Sequence, residues 1–301
     1  MIRKILAPLT GRSVDQHTLA TAFLIARNLS PTLHGHVDAL CVTPKPEIHA
    51  PVETASIPAA LSKQLQKIAV QEQAEAIAAA RAVFDGFRDR FGTVLAEFPD
   101  AAEASHPTAW WHEVTGALAE IVPEEARLSD LVVFAQDRDV VSIVGGAIEA
   151  TLFNSGRPVL LAPAEDPTSI GSACAIAWDG SSVASRAVRA ALPFLTQAGK
   201  VAILAAERSD LGRAGDPQRL VDYLQWHGVT ASVEKISTGV EKISAGHRAI
   251  SGALTETARG LGSDLLIMGA YGHSRMREMV LGGVTHDILR NLPTLPVLMA
   301  H

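Results

Sequence analysis

The sequence has little of what would indicate a secreted, membrane-bound or nucleic-acid-binding protein. It holds two cysteines, Cys41 and Cys174, which lie in separate apolar runs without a CxxC partner, so we expect small buried side chains and not a disulfide. No apolar run approaches the roughly 18 residues of a membrane span. There are 26 Lys and Arg against 32 Asp and Glu, a net charge of -6, and no basic stripe. We therefore predict a cytoplasmic protein with no membrane and no nucleic-acid partner, since the first residues are also too short in apolar content for a secretory signal.

Motifs for efficient catalysis are missing as well. The sequence has no HExxH or paired-histidine zinc spacing, no P-loop lysine in a GxxxxGK[ST] motif and no GxSxG nucleophile elbow. It also lacks the HxGH-like and SGGxD-like motifs of ligases and adenylyltransferases at its first strand. We therefore predict no catalytic residue and no resident metal, which argues against an enzyme such as a ligase or an adenylyltransferase.

The chain does show strand-like apolar runs that alternate with helical stretches, and this order occurs twice. Residues 129–135 match 263–269, residues 157–162 match 295–300, and residues 10–14 match 179–183. Such alternation predicts βαβ units and a parallel sheet. A polar, proline-containing stretch at 163–169 suits a linker, so we predict an α/β protein of two domains, residues 1–165 and 166–301.

Each domain is predicted to be an open five-stranded parallel sheet with helices on both faces. The expected strands lie near residues 3–9, 36–42, 93–98, 130–135 and 158–162, and near 172–178, 200–206, 230–235, 264–268 and 296–300. Trp110 and Trp111 are expected to pack at the start of a helix or between domains, with a ligand platform as the alternative.

The most informative segment follows the predicted strand at 264–268. Gly269 and Gly272 open a loop in which the backbone can approach a ligand without interference from a Cβ. Gly282 and Gly283 then precede a predicted helix that begins near Val284. A glycine-spaced loop and a helix N-terminus present free N–H groups to one point, which predicts a phosphate site.

These residues resemble the universal stress protein family. Its nucleotide-binding members carry Gly, two residues, Gly, nine residues, Gly, then Ser or Thr, and Gly269, Gly272 and Gly282 match that spacing. Gly283 stands where those members have a hydroxyl, while Thr285 matches a later position that is often Ser or Thr. An Asp-Gly-Ser at the end of the first strand is matched by 179–181. The resemblance covers the whole chain as a tandem pair and is stronger in the second half.

The resemblance implies a Rossmann-like fold of the adenine nucleotide alpha hydrolase type and a site for ATP or AMP, with or without Mg²⁺, in the second half. Asp179 would accept hydrogen bonds from ribose hydroxyls. Loss of a hydroxyl at Gly283 would remove a hydrogen bond worth about 0.5–1.5 kcal/mol, which weakens such a site without abolishing it. The residues expected to bind nucleotide are Asp179, Gly269, Gly272, His273, Gly282, Gly283, Val284 and Thr285.

The first half lacks the same residues. Ala135 stands opposite Gly269, Arg138 opposite Gly272, and Thr10 opposite Asp179. We therefore predict that the first half binds no nucleotide and acts as a structural or pairing partner. The family pairs the last strands of its domains, so the two halves are expected to pair within one chain, with a homodimer of tandem chains as the alternative.

The function implied is that of a stress-response sensor or regulator that binds an adenine nucleotide, with slow hydrolysis at most. A protein-interaction scaffold of the same family that binds no nucleotide is the alternative, because Gly283 departs from the family pattern.

Overall fold

The protein's structure, a computed structural model, describes most of the chain in nine ranges. They are residues 1–28, 35–45, 59–98, 106–135, 141–206, 213–236, 247–272, 283–291 and 294–301.

Strands and helices alternate along the described residues. The strands are β1 Lys4–Leu9, β2 His36–Thr43, β3 Val94–Leu95, β4 Thr108–Thr115, β5 Leu131–Phe134, β6 Val159–Leu161, β7 Ala173–Trp178, β8 Lys200–Ala206, β9 Ser232–Ile236, β10 Leu265–Gly269 and β11 Val297–Ala300. The helices are α1 Asp15–Asn28, α2 Ala59–Phe91, α3 Leu118–Ala126, α4 Val141–Asn154, α5 Ser182–Leu195, α6 Pro217–Gln225, α7 His247–Gly260 and α8 Gly283–Arg290.

All of these strands belong to one sheet. Its eleven strands lie in the order β3-β4-β2-β1-β5-β6-β11-β10-β7-β8-β9. Among the described strands, neighbours run parallel except at the centre, where β6 pairs antiparallel with β11 and Leu160 lies opposite Leu298. The central strands are buried, as the near-continuous apolar sequence of parallel strands predicts. The predicted α/β architecture with a mostly parallel sheet is confirmed.

The first half differs from the prediction in its strand count. It contributes six strands to the sheet instead of five. The strand expected at 93–98 is reduced to Val94–Leu95, and β4 lies between it and β2. The expectation of a helix start at Trp110 and Trp111 is wrong, since both residues lie within β4.

Alternation along β4 explains this difference. Ala109 and Trp111 are buried, and the Trp111 ring lies 5.5 Å from Phe84 of α2. Phe84 in turn contacts Phe23 of α1. Two adjacent tryptophans thus face opposite sides of the sheet, as neighbouring strand residues must, and one of them joins an aromatic cluster under α1 and α2.

The other face of these strands carries a polar group. Asp38 of β2 is buried, and its Oδ2 lies 2.9 Å from the Lys4 Nζ. Its Oδ1 lies 3.6 Å from the His112 Nε2. In the second half, Ala173 and Ala202 occupy the matching strand positions, so this ion pair is specific to the first half.

Candidate functional site

The second half of the sheet has a point at which the strand order reverses direction. From β7 the chain passes to β8 on one side, while β10 lies on the other side of β7. Ligands of open α/β sheets bind outside the carboxyl ends of the strands at such a switch point. Asp179 follows β7, Gly269 is the last residue of β10, and Gly272 lies in the loop after it, so the three predicted residues meet at this edge.

The turn after β7 is fixed by its own side chains. The Ser181 N–H donates to the Asp179 Oδ1 at 2.9 Å, and the Ser181 Oγ accepts from the Ala184 N–H at 3.2 Å as the N-cap of α5. Gly180 between them has a φ of 75°, and a Cβ there would lie 2.4 Å from the Ala214 carbonyl. The Asp-Gly-Ser sequence is thus explained locally by an Asx turn, a left-handed glycine and a helix cap.

Asp179 retains acceptor capacity beyond this turn. A carboxylate offers about four lone-pair sites, and the Ser181 N–H uses one of them. The side chain is half-buried at the mouth of the switch point. It is therefore placed to accept hydrogen bonds from hydroxyl groups of a ligand.

Gly269 and Gly272 bring the loop after β10 against the first turn of α5. A Cβ at Gly269 would lie 2.5 Å from the Ala184 nitrogen, and one at Gly272 would lie 2.7 Å from the Val183 Cγ2. The space that these glycines leave is filled by α5. The structural reason for both glycines is therefore close helix–loop packing, which differs from the open approach to a phosphate that the sequence suggested.

The same loop is attached to the start of α8. The Tyr271 N–H donates to the Thr285 Oγ1 at 3.2 Å, and Thr285 is buried. The Thr285 hydroxyl therefore holds the loop, a role that the sequence did not indicate. Gly283 and Val284 form the first turn of α8 and are half-buried. Backbone N–H groups of a first helical turn have no partner within the helix and attract anions.

The predicted site residues are only partly covered by the described ranges. Asp179, Gly269, Gly272, Gly283, Val284 and Thr285 lie in loops and helix starts that meet at one edge of the sheet. His273 and Gly282 lie outside the described residues, as does Arg138 of the first half.

The matching edge of the first half is closed by a carboxylate. Asp15, in the first turn of α1, is 1% exposed. It accepts hydrogen bonds from the Thr10 N–H at 2.9 Å and from the Gly11 N–H at 2.7 Å, and also from the Thr10 hydroxyl. The aligned second-half residue is Ala184. A buried negative group thus occupies the turn N–H groups in the first half, where an anionic ligand would meet repulsion.

Burial shifts the titration of this carboxyl. The pKa of Asp15 rises from 3.8 to about 6, because loss of solvent disfavours the charge more than the hydrogen bonds from Thr10 and Gly11 favour it. This role of Asp15 cannot be inferred from the sequence, since an aspartate at a helix start is common for the reason that the helix dipole favours it there.

Two further properties follow from the described residues. No group of three or more His, Cys, Asp or Glu side chains among them is arranged to hold a metal ion. Within the same ranges, every helix is too short or too polar to cross a bilayer.

The fold and the edge described above define a doubly wound α/β protein with a candidate ligand site at a switch point. Residues 174–301 match the family model described as "Universal stress protein family". That part of the chain is a domain of the universal stress protein family, which confirms the resemblance for the second half.

Solved structures match the fold of the whole chain. A universal stress protein from Archaeoglobus fulgidus is 14% identical, with a TM-score of 0.64 over 99% of this chain and 97% of its own. A candidate universal stress protein from Pseudomonas aeruginosa is 15% identical, with a TM-score of 0.52 over 99% of this chain and 93% of its own. No curated protein matches the sequence.

Proposed function

We propose that this protein is a stress-response regulator that binds ATP or a related adenine nucleotide at the switch point of its second half. The observation that carries the proposal is the meeting of two helix starts at one loop. Gly272 contacts the first turn of α5, and Tyr271 is bonded to the first turn of α8. Two N-terminal helix ends beside one half-buried carboxylate suit a ligand with both phosphate and hydroxyl groups.

Each residue has a defined part in this proposal. Asp179 accepts from the ribose hydroxyls, and the N–H groups of Gly283 and Val284 face the phosphates. Gly269 and Gly272 contribute through packing, because they allow α5 to come close to the loop. His273 and Gly282 remain predicted phosphate contacts. Mg²⁺, where present, would be held mainly by the phosphates of the nucleotide.

The two halves have different parts. We take residues 1–165 and 166–301 as two domains, of which the first binds no nucleotide because Asp15 closes its turn. The pairing of β6 with β11 supports an arrangement in which both domains work within one chain. A homodimer and a cytoplasmic location stay predictions.

The alternative is an interaction scaffold that binds no nucleotide. It is favoured by the packing role of Gly269 and Gly272, which accounts for both glycines without a ligand. The lack of a hydroxyl at Gly283 favours it as well. Hydrolysis is expected to be slow at most, since the sequence carries none of the phosphoryl-transfer motifs.

The test is a calorimetric titration of ATP into the wild type and into Asp179→Asn. Asparagine keeps a side-chain oxygen for the Ser181 N–H, so the turn after β7 is preserved while the charge is lost. We expect ATP binding to weaken by about tenfold to a hundredfold, as a hydrogen bond to a charged group is worth about 1.5–3 kcal/mol. Mass spectrometry of the denatured protein would also show ATP, ADP or AMP that remains bound through purification.

Asp222→Asn is the matched control, because it makes the same change at an exposed position of α6 in the same half. It should leave ATP binding unchanged. A wild type that binds none of the three nucleotides would support the scaffold instead. Equal ATP affinity in the wild type and Asp179→Asn would remove Asp179 from the site.

A further inference from the structure

The antiparallel junction brings the first half next to the loop after β10. Helix α4 ends at Asn154 and leads into β6, so its last turns lie at the end where β6 begins. Because β6 runs antiparallel to β11, that end lies beside the carboxyl end of β11. The last turns of α4 therefore contact the ligand edge of the second half.

A group of side chains at this contact is called the junction cluster here: Glu149 and Phe153 of α4, with Tyr271 and His301 of the second half. The Phe153 ring lies 4.9 Å from the Tyr271 ring and 4.5 Å from the His301 ring. Glu149 and Phe153 are four residues apart, so they share one face of α4. That face is the one turned towards the second half.

Polar contacts complete the cluster. Burial, the neighbouring charge of the Glu149 carboxylate and hydrogen bonding between the two side chains raise the pKa of Tyr271 well above its usual range. The His301 Nδ1 lies 3.1 Å from the Ala270 carbonyl oxygen, in the same loop. Side chains of α4 and of His301, the residue after β11, thus contact both residues of the short segment Ala270–Tyr271.

The backbone of that segment needs such support. Tyr271 has a φ of 56°, in the left-handed region that a bulky residue rarely adopts. A backbone conformation of this kind persists where the surroundings hold it. Here it places the Tyr271 N–H on Thr285 and so fixes the loop to the first turn of α8.

We propose that the junction cluster holds residues 270–272, where the chain leaves β10, in their nucleotide-binding conformation, so that the first half controls the affinity of the second half for nucleotide. This inference rests on the function proposed above. It gives the first half a role that needs no ligand of its own. Because coupling between two sites is reciprocal, nucleotide binding should in turn stabilise the end of α4.

The test compares the full-length wild type with Tyr271→Phe, which removes the hydroxyl and keeps the ring. We expect ATP affinity to fall about threefold to tenfold, the effect of one lost hydrogen bond. Amide hydrogen exchange at residues 265–272, measured without ATP, should become faster. In the wild type, ATP should slow exchange at residues 149–154 of the first half, and this slowing should be weaker in Tyr271→Phe.

Two further variants separate positioning from general damage. Glu149→Ala should weaken ATP binding as Tyr271→Phe does, while Glu149→Gln should restore part of the affinity, because its amide oxygen still accepts from the Tyr271 hydroxyl. Tyr223→Phe is the matched control, since Tyr223 is the other tyrosine of the chain and lies on α6. It should change neither ATP affinity nor exchange at residues 265–272.

The outcomes distinguish this inference from the function on which it rests. If the wild type binds ATP and Tyr271→Phe matches it in affinity and exchange, the inference is overturned and the proposed function stands. If the wild type binds no ATP, the proposed function fails and the control by the first half fails with it.

Discussion

Two aspartates at equivalent turns distinguish the halves of this protein. Asp179 follows β7 and bonds the Ser181 N–H, which leaves acceptor sites at the edge of the sheet. Asp15 lies on α1 and bonds the N–H groups of Thr10 and Gly11, so its charge is directed into the protein. The carboxylate follows the strand in the second half and begins the helix in the first half. Its free acceptor sites are therefore available to a ligand only in the second half.

The buried Asp15 predicts a pH dependence of stability. The pKa of Asp15 is raised in the folded protein. The stabilising contribution of its protonated carboxyl to the free energy of unfolding is therefore fully present below pH 3.8, and it is lost as the pH rises through about 6. Between these limits, the unfolding free energy of the wild type should fall relative to Asp15→Asn by about 3 kcal/mol, the equivalent of this change in pKa. Urea unfolding of both proteins at several pH values from 4 to 7 measures the difference. A difference that does not change with pH would contradict the buried, ionisable state of Asp15.

At the scale of elements, the approach of α5 to β10 determines the shape of the candidate site. Gly269 ends β10 directly under Val183 and Ala184. In the first half, Ala135 follows β5 and its N–H donates to the Thr18 hydroxyl at 3.0 Å. The two halves thus join their first helix to the strand before the last by different means, a missing Cβ in the second half and a side-chain hydrogen bond in the first.

Gly269→Ala should therefore destabilise the protein. The new Cβ would lie 2.5 Å from the Ala184 nitrogen, a backbone atom, so the first turn of α5 must move. We expect a cost of about 1–3 kcal/mol, as for other overpacked sites, measured by urea unfolding. Gly86→Ala is the control, because Gly86 is exposed within α2 and its Cβ would meet nothing within 4 Å. That change should stabilise by about 0.5–1 kcal/mol, and loss of stability in both variants alike would count against the packing role.

The sequence was sufficient for the parts of the fold that depend on local pattern. Buried parallel strands are continuous apolar runs, and their carboxyl ends share an edge, so Asp179 and Gly269 could be placed together. Strand β4 was missed because two adjacent tryptophans hide the alternation that marks a strand. Tyr271 was missed for another reason: its partners, Glu149 and Phe153, lie in the other half, and no local pattern encodes that contact.

At the scale of the whole molecule, the central strand pair joins the two half-sheets into one. Val297, Leu298 and Met299 of β11 are buried against β6. The apolar core runs through both halves without interruption. Each half therefore covers an edge strand that would otherwise expose unpaired backbone groups.

Residues 166–301 expressed alone should for this reason form a dimer. Without β6, the apolar strand β11 is an exposed edge, and pairing with a second copy satisfies it. Light scattering after size-exclusion chromatography, with the full chain at the same molar concentration for comparison, measures the mass. A strictly monomeric fragment would show that burial of β11 does not depend on a partner strand.

The antiparallel direction of the β6–β11 pair also gives the molecule two unlike poles. Carboxyl ends of the first-half strands point towards one pole and those of the second half towards the other. One pole therefore presents Asp179 together with Gly269 and Gly272. The opposite pole presents the turn after β1, in which the Gly11 N–H donates to Asp15. If the second half binds nucleotide as proposed, a protein that senses the bound nucleotide would approach the pole of Asp179, and a partner bound at the pole of Asp15 would not block it.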